Sequence, residues 1–499
     1  MKSIRTLALA GALLIALSTV AQNNPKREFR GVWIPTVGDR YYAKHTTAEN
    51  KAYLLNMLDS LQMAGCNAII FHCRPQADAF YADALEPWSF WLSGTGGVPP
   101  TPVWDPMQMM IEESHKRGME LHAWINPYRV GYDHQLAPDA LIKQHPEWFL
   151  KYGEQNYFDP AYPECREHIC RVVADIVTRY DVDAIHMDDY FYPYPIEGKE
   201  FPDTASYDLY GIGWDRADWR RANVDSLIAG MHHTIMDIKP WVRLGISPFG
   251  IWRNKASDPD GSDTNGLQCY DALYADCIKW TAEGWVDYMV PQLYWQLEHP
   301  KASDAILMDW WNNHTYGRHM YYGLAIKNTM DYADTDDPTC PTQLDHKLRI
   351  MRGLDNVQGV TWWPCYSLTA NYKGVTDSLM NGRQSTLALP PTYPWLDDVA
   401  PAEVKDLKVK KINKVKTLVW EAPKTNDPLQ QAARFVVYRF AKGERIDLNN
   451  SKAIVAITSD TQLPLPQYAP KGKQFVFVVT ALDHCNNESP HGTQTKVKL

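Results

Sequence analysis

The sequence lacks a long hydrophobic run beyond its N-terminus, and it lacks an excess of basic charge. After residue 21 no segment reaches the roughly 18 uninterrupted apolar residues that a membrane-spanning helix needs. Fifty Lys and Arg stand against 59 Asp and Glu, which gives a net charge of −9. Nucleic acids and anionic membranes attract basic surfaces, so neither is expected as the main partner. We predict a globular chain without a transmembrane segment.

Motifs for metals, phosphates and a nucleophilic serine are also absent. The sequence contains no His-Glu-x-x-His, no Gly-x-Ser-x-Gly and no glycine-rich phosphate loop directly after a strand. Its nine cysteines are an odd number without framework spacing. This pattern favours buried free thiols, with one or two incidental disulfides as the alternative. The sequence therefore predicts no bound metal and no cofactor.

The N-terminus is typical of a secretory signal peptide. Lys2 and Arg5 precede the apolar run Leu7–Leu17, and the small residues Thr19 and Ala21 occupy the −3 and −1 positions of a cleavage site. The apolar run is too short to span a membrane. We therefore predict a signal peptide over residues 1–21 and export to the periplasm or the extracellular space.

Strand-like and helix-like stretches alternate between residues 28 and 390. The predicted strands are 29–34, 67–74, 119–126, 183–188, 243–248, 286–295, 320–326 and 357–363. Helical patterns separate them, the one after the fifth strand covering about 269–283. Such alternation indicates a parallel sheet, and eight strands are the number that closes a barrel. The predicted fold is α/β, a (β/α)8 TIM barrel over residues 28–390.

The pattern changes after the proline-rich segment 389–394. Residues 398–499 contain only short alternating strands separated by turn residues, which predicts a small all-β sandwich. The segment resembles a fibronectin type III module in its core Trp420, in the strand 435–439 and in the stretch 478–483. We assign no chemistry to this module.

Alternation within the barrel strands directs polar side chains inward. Ile185 and Met187 should face the helices, which turns His186 and Asp188 toward the interior, with Asp188 at the mouth. The same argument directs these side chains inward: His72, Arg74, His122, Trp124, Asn126, Gln292 and Tyr294. A purely structural barrel interior would carry Val, Ile or Leu there. A functional site is therefore expected at the C-terminal ends of the strands.

The loops after these strands combine carboxylates, amides and aromatic rings, in a chain with 19 Trp and 28 Tyr. Ring faces cover the apolar side of a sugar while polar groups bind its hydroxyls, so the expected partner is a carbohydrate polymer or oligosaccharide. The predicted substrate contacts are Arg74, Asn126, Arg129, Asp159, His186, Asp189, Tyr190, Gln292, Tyr294, Trp295 and Trp363.

Asp188 is the leading candidate for catalysis, because it faces the interior at the end of a strand. The adjacent Asp189 is expected to turn toward arginine or backbone donors and hold the loop. Glycoside hydrolysis normally needs a second carboxyl group. The sequence does not identify it; the candidates on mouth-side loops are Asp78, Glu86, Asp133 and Asp159, of which we favour Asp78.

The barrel region resembles the glycosyl hydrolase-like 10 family of bacterial proteins. The matching stretches lie between about 28 and 385 and include 28–33 (EFRGVW), 74–81 (RPQADAFY), 124–129 (WINPYR), 179–193 (RYDVDAIHMDDYFYP), 245–253 (GISPFGIWR) and 287–295 (DYMVPQLYW). The resemblance implies a secreted or envelope β/α-barrel glycosidase, and members have been linked to bacterial cell-wall glycan. It also implies Asp188 as the catalytic candidate and Asn126, Arg129, Gln292 and Tyr294 as substrate contacts.

The chain departs from the family pattern at two positions, Ala161 and Ala184, where glycine is usual. Ala184 lies deep in its strand, away from the mouth.

Three hypotheses for function follow. The leading hypothesis is an exported glycoside hydrolase that uses Asp188 and a second carboxylate for general acid–base catalysis. The second is a barrel that binds glycan or peptidoglycan without cleaving it. The third, metal-assisted deacetylation of a sugar, would need His72, His122 and His186 to converge near Asp188 or Asp189.

Overall fold

The structure is a computed structural model that describes residues 24–468 and 472–498. The predicted signal peptide, residues 1–21, lies outside the described residues. Within the described ranges, no helix is long and apolar enough to cross a membrane. All nine cysteines lie within them as free thiols, most of them buried, as expected.

Eight parallel strand positions close into a barrel, which confirms the predicted fold class. The strands are β1 (Phe29–Ile34), β2 (Ala68–Arg74), β3 (Glu120–Ile125), β4 (Ala184–Met187), β5 (Arg243–Ile246), β6 (Tyr288–Met289 and Gln292–Leu293), β7 (His319–Ala325) and β8 (Gly359–Trp363). Neighbours in this order pair in parallel, and β8 pairs with β1 to complete the circle. The predicted continuous strand 286–295 is interrupted at Pro291, because proline has no N–H to donate to the ladder.

A helix follows each strand and packs on the outside of the barrel. The helices are α1 (Thr47–Met63), α2 (Pro106–Lys116), α3 (Pro163–Arg179), α4 (Arg216–Ile238), α5 (Cys277–Ala282), α6 (Asp304–Asn312), α7 (Leu344–Gly353) and α8 (Val375–Asn381). Residue chemistry fixes where they begin: the Thr46 and Glu49 side chains form a capping box at α1. The prediction of one helix over 269–283 was wrong. Tyr274 has a φ of +53°, which ends the short helix Cys269–Ala272 before α5 begins.

The loops at the C-terminal ends of the strands carry further small elements. They include the hairpin Phe149–Tyr152 and Gln155–Phe158 and the short helices Phe90–Ser93, Leu141–Gln144, Thr204–Tyr210, Ile326–Met330 and Cys365–Thr369. Inside the barrel the predicted alternation holds. Ile185 and Met187 of β4 pack into the layer between strands and helices, whereas Ala184 and His186 face the interior. Rings fill much of that interior; Phe29 stacks on Tyr321 with centroids 4.0 Å apart.

The C-terminal region consists of two small antiparallel sheets. Its strands are β9 (Lys405–Ile412), β10 (Val415–Glu421), β11 (Arg434–Ala441), β12 (Ile454–Thr458), β13 (Gln462–Pro464), β14 (Gln474–Leu482) and β15 (Thr493–Lys498). One sheet has the order β9-β10-β13 and the other β12-β11-β14-β15. Trp420 packs edge-on against Phe435 in the core between them. Strands β13 and β15 were not predicted from the sequence.

The C-terminal sheets close the bottom of the barrel, where the strands begin. Glu120, the first residue of β3, is fully buried and accepts hydrogen bonds from Arg434 (3.1 Å) and Asn486 (2.9 Å) of the C-terminal region. Arg243, the first residue of β5, pairs with the other Glu120 oxygen at 2.7 Å and donates to the backbone of His484. One end of the barrel is therefore sealed by a charged network, and the other end is open.

Replacing Arg434 with Met is expected to lower the free energy of unfolding by about 3 kcal/mol, because it leaves part of a buried carboxylate's charge unpaired. Urea unfolding followed by circular dichroism measures this loss. The matched control is Arg439→Met on the same strand, whose half-buried side chain bonds a backbone carbonyl of Tyr468. If Arg434→Met lowers the free energy of unfolding no more than the control does, the contact between the barrel and the C-terminal region does not depend on the Arg434–Glu120 ion pair.

Candidate active site

A cavity of about 290 Å³ opens at the C-terminal ends of the strands. Its lining comes from nearly every strand end of the barrel: Trp33, Pro35, Val37, His72, Trp124, Arg129, Asp188, Asp189, Tyr190, Ser247, Gln292, Tyr294 and Trp363. This is the end of a TIM barrel where ligands bind, because side chains from many strands converge there.

Three indoles form an aromatic surface in this cavity. Trp363 is oriented edge-on to Trp33 and to Trp124, with ring centroids 6.3 and 6.4 Å away. The His72 ring stacks on Trp124 at 3.8 Å. Indole faces of this kind suit the apolar face of a sugar ring.

Asp188 is 6% exposed and lies beside this surface. Burial and the neighbouring Asp189 carboxyl together raise the pKa of Asp188 to about 8, against the opposing effect of the Arg129 guanidinium. Its carboxyl accepts the weak backbone contact from Tyr190 N, at 3.4 Å, and no side chain of the described residues donates to it. The group therefore holds a proton at neutral pH and can donate it to a leaving group.

Asp189 is held by two donors. Tyr194 donates a short hydrogen bond to one oxygen, and Gln292 Nε2 donates to the other at 3.2 Å. The same amide also donates to the backbone oxygen of Ser247 at 3.1 Å, which fixes its orientation. Burial raises the pKa of Asp189, and the Tyr194 and Gln292 bonds act in the opposite direction.

Several polar atoms in the lining find no hydrogen-bond partner among the described residues. They are both ring nitrogens of His72, Trp124 Nε1, Arg129 Nε and Ser247 Oγ. The Arg129 guanidinium stacks on the Tyr190 ring at 3.7 Å. Buried polar groups are nearly always satisfied, so these unpartnered atoms distinguish the lining from an ordinary barrel core.

Seven of the residues predicted to be catalytic or to contact the substrate line one cavity: Arg129, Asp188, Asp189, Tyr190, Gln292, Tyr294 and Trp363. It does not place Arg74, Asp78, Asn126, Asp159, His186 or Trp295 in the lining.

Arg74 is fully buried and pairs through two bonds with Glu86, at 2.5 and 2.6 Å. Its remaining nitrogen donates to the backbone oxygens of Asn126 and Pro127. Glu86, one of the candidate second carboxyls, is thereby committed to this ion pair, which lowers its pKa to about 2 against the effect of burial. Both side chains hold the loops around the mouth in place instead of facing the cavity.

Asp78 does not lie in the cavity of Asp188. Its carboxyl turns back on its own loop and accepts from Gln76 N at 3.0 Å, next to Ala77, whose φ is +53°. Burial raises the pKa of Asp78 to about 6, in a small separate pocket that also contains Trp88. Asp133, another candidate, forms an exposed ion pair with Lys151 at 2.5 Å.

The other predicted contacts serve the loops or the core. Asn126 donates to Pro75 O at 3.0 Å, and Asp159 accepts from Ala161 N at 3.0 Å. His186 lies beneath the cavity, where it accepts from Trp33 Nε1 at 3.1 Å. Trp295 packs edge-on against Phe249, with centroids 5.6 Å apart.

Sequence reasoning left Trp33, Ser247 and Tyr194 out of the site. Trp33 could have been found, because Val32 and Ile34 beside it are apolar and face outward. Tyr194 carries no such signal, since it reaches Asp189 from an irregular loop. Of the three histidines of the deacetylase hypothesis, His122 and His186 contact the Tyr288 hydroxyl inside the barrel, and the His72 ring stacks on Trp124. Within the described residues, no group of three or more His, Cys, Asp or Glu side chains converges to hold a metal ion.

A cavity with an aromatic surface and with carboxyl, amide and guanidinium groups, at the C-terminal end of a (β/α)8 barrel, defines a glycan-acting barrel protein. The family model described as Glycosyl hydrolase-like 10 matches residues 28–339. The chain belongs to this family, and the resemblance found in the sequence is confirmed.

Two named relatives support the assignment. Glycosyl hydrolase YngK of Bacillus subtilis (strain 168) is 38% identical over 505 residues, which covers 98% of this chain and 97% of that protein. Glycosyl hydrolase DigH of Escherichia coli (strain K12) is 37% identical over 305 residues, which covers 56% of this chain and 69% of that protein.

Two solved structures are more distantly similar. The glycoside hydrolase domain of PgaB from Bordetella bronchiseptica has a TM-score of 0.45 and 12% identity, covering 71% of this chain and 98% of that chain. The endo-beta-1,4-mannanase from Thermotoga petrophila has a TM-score of 0.43 and 10% identity, covering 95% and 98%.

Replacing Asp188 with Asn is expected to stabilise the protein increasingly as the pH rises from about 4 to about 8. An unfolded chain loses the Asp proton near pH 3.9, whereas the folded chain keeps it until about pH 8. Unfolding of the wild type therefore releases a proton in this window, and its free energy of unfolding falls by up to about 1.4 kcal/mol per pH unit. The variant has no carboxyl group at position 188, so its unfolding does not release this proton. Urea unfolding at pH 5 and pH 8 measures the difference.

Asp331→Asn is the control for this measurement. Hydrogen bonds from Lys327, Lys373 and Tyr372 lower the pKa of Asp331, so its removal should give no stabilisation that grows with pH. Parallel pH curves for the wild type and Asp188→Asn would contradict a protonated Asp188.

Proposed function

We propose that the protein is an exported glycoside hydrolase in which Asp188 is the general acid. The observation that carries this proposal is the raised pKa of Asp188 beside an aromatic sugar-binding surface. A carboxyl group that keeps its proton at neutral pH can protonate the glycosidic oxygen as the bond to the anomeric carbon breaks. Arg129, Tyr190, Gln292, Tyr294 and Trp363 then contact the sugar.

The second carboxyl in this proposal is Asp189, which takes the place of Asp78. Among the described residues, Asp188 and Asp189 are the only carboxyl groups in the cavity lining. Neighbouring residues have Cα atoms only about 3.8 Å apart, so both groups reach the sugar from one strand end. These two carboxyl groups therefore cannot act from opposite faces of the sugar ring.

This arrangement favours a reaction in which the substrate supplies its own nucleophile. Some glycosidases use the carbonyl oxygen of the substrate's 2-acetamido group for this purpose. In the proposed reaction that oxygen attacks the anomeric carbon, Asp189 accepts a hydrogen bond from the acetamido N–H, and Asp188 protonates the departing oxygen. Water then opens the cyclic intermediate. Sugars of bacterial cell walls carry such acetamido groups, which supports cell-wall glycan as the substrate.

Export rests on the signal peptide predicted for residues 1–21, and the proposed location is the periplasm or the extracellular space. The C-terminal region, proposed to be a fibronectin type III-like module, has a structural role in this scheme, because its buried residues seal the barrel.

The first experiment compares wild type, Asp188→Asn and Asp78→Asn on bacterial cell-wall glycan, both intact and stripped of peptides. We expect new reducing ends from the wild type and a loss of about 10³-fold in rate for Asp188→Asn, the usual contribution of a general acid. Asp78→Asn should stay within a few-fold of the wild type. Glycan binding without cleavage by any of the three proteins would instead favour the non-catalytic binding barrel.

The second experiment tests the role of the acetamido group. The wild type should cleave N-acetylated glycan and fail to cleave the same glycan after chemical de-N-acetylation. Asp189→Asn should lose about 10²-fold or more in rate on the acetylated form. Equal cleavage of both glycans by the wild type would show that the nucleophile does not come from the substrate.

A further inference from the structure

A continuous chain of hydrogen bonds runs along the barrel axis from the sealed bottom to the cavity. Glu120 Oε2 contacts His122 Nε2 at 3.0 Å, and His122 Nδ1 contacts the Tyr288 hydroxyl at 2.7 Å. That hydroxyl contacts His186 Nδ1 at 3.1 Å, and His186 Nε2 contacts Trp33 Nε1 at 3.1 Å. We call these five residues the axial column.

The direction of every bond in the axial column follows from one residue. The Trp33 indole can only donate, so His186 Nε2 must accept and its proton must be on Nδ1. His186 Nδ1–H then donates to the Tyr288 oxygen, whose own proton goes to His122 Nδ1. His122 therefore carries its proton on Nε2 and donates it to the Glu120 carboxylate. Within the column, every N–H and O–H group then donates to one acceptor.

The surroundings of the column are consistent with this single arrangement. Burial lowers the pKa of His122 and of His186, which keeps both imidazoles neutral, and raises that of Tyr288. Neutral imidazoles are required, because each ring must accept one bond. At the bottom, Arg243 together with His122 and Arg434 lowers the pKa of Glu120 to about 2 against the effect of burial, so its oxygens remain acceptors.

The upper end of the column is Trp33, which lies at the cavity. Trp33 lines the cavity although its exposed fraction is only 2%. Gly323 makes room for the ring, since a Cβ at that position would lie 2.9 Å from Trp33. The hydrogen bond that Trp33 Nε1 donates to His186 Nε2 fixes which way the indole edge points.

We propose that Glu120, His122, Tyr288 and His186 act as positioning residues for Trp33 and orient its indole for sugar binding. The C-terminal region anchors the lower end of the column, because Arg434 and Asn486 donate to Glu120 Oε1, the carboxylate oxygen that His122 does not contact. The identity of the ligand rests on the proposed function, whereas the arrangement of the column does not.

Nuclear magnetic resonance of the full-length wild-type protein tests the arrangement without any substrate. In protein labelled with ¹⁵N-histidine, His186 should be the Nδ1–H form and His122 the Nε2–H form, each assigned from the signal lost in its Gln variant. An Nε2–H form of His186, or a charged ring in either residue, would overturn the proposal.

Tyr288→Phe removes the middle of the column and keeps the ring. We expect the Nδ1–H signal of His186, which loses its acceptor, to shift, and the Trp33 indole N–H signal, identified by its absence in Trp33→Phe, to shift as well. The KM for the glycan should rise about tenfold, because the net contribution of one hydrogen bond corresponds to about that factor in affinity. The kcat should change less than twofold. A purely structural role would not separate KM from kcat in this way.

The matched control is Tyr322→Phe. Its hydroxyl is buried and donates to the backbone oxygen of Met308, in the layer between strands and helices. It should show a similar loss of stability with unchanged KM and an unchanged Trp33 signal. If Tyr288→Phe leaves the Trp33 signal and KM as in the wild type, the column does not position Trp33. If the wild type cleaves no glycan, the proposed function fails, and the tautomers still decide whether the column exists.

Discussion

The buried carboxylate of Glu120 is the group on which both halves of the molecule depend. It lies at the start of β3 with no exposure to water, and it binds Arg243, Arg434, His122 and Asn486. A buried charge without partners is costly, so the barrel bottom needs the C-terminal region that supplies two of these donors. The C-terminal region thus completes the barrel, because two of the donors to this buried carboxylate come from it.

Burial raises the pKa of a carboxyl group at both ends of the barrel, and the neighbouring charges decide the net shift. At the bottom, cations surround Glu120, and its pKa falls to about 2. At the mouth, Asp188 is also buried, but its neighbour is a carboxyl group and Arg129 is the cation that opposes the rise, so its pKa rises to about 8. The same desolvation therefore supports a structural ion pair at one end and a proton donor at the other.

The sequence predicted the features that depend on periodicity. Alternation in β3 and β4 placed Trp124, His186 and Asp188 on the inner face of the barrel, where the structure has them. It could not show that Arg74 pairs with Glu86 twelve residues later, because a bulge at the end of β2 and an irregular loop set that contact. The strand β15 was missed since its residues are mostly polar and half-exposed, as in a loop.

The two adjacent aspartates differ in role because they differ in donors. Two buried carboxyls this close do not both ionise at neutral pH, so the pair shares a proton. Asp189 accepts from Tyr194 and from Gln292, both of which stabilise its charged form. Asp188 has only a weak backbone donor. The proton therefore resides on Asp188, beside the indoles. In the proposed reaction, the hydrogen bond from the loop residue Tyr194 to Asp189 determines which of the two aspartates is the general acid.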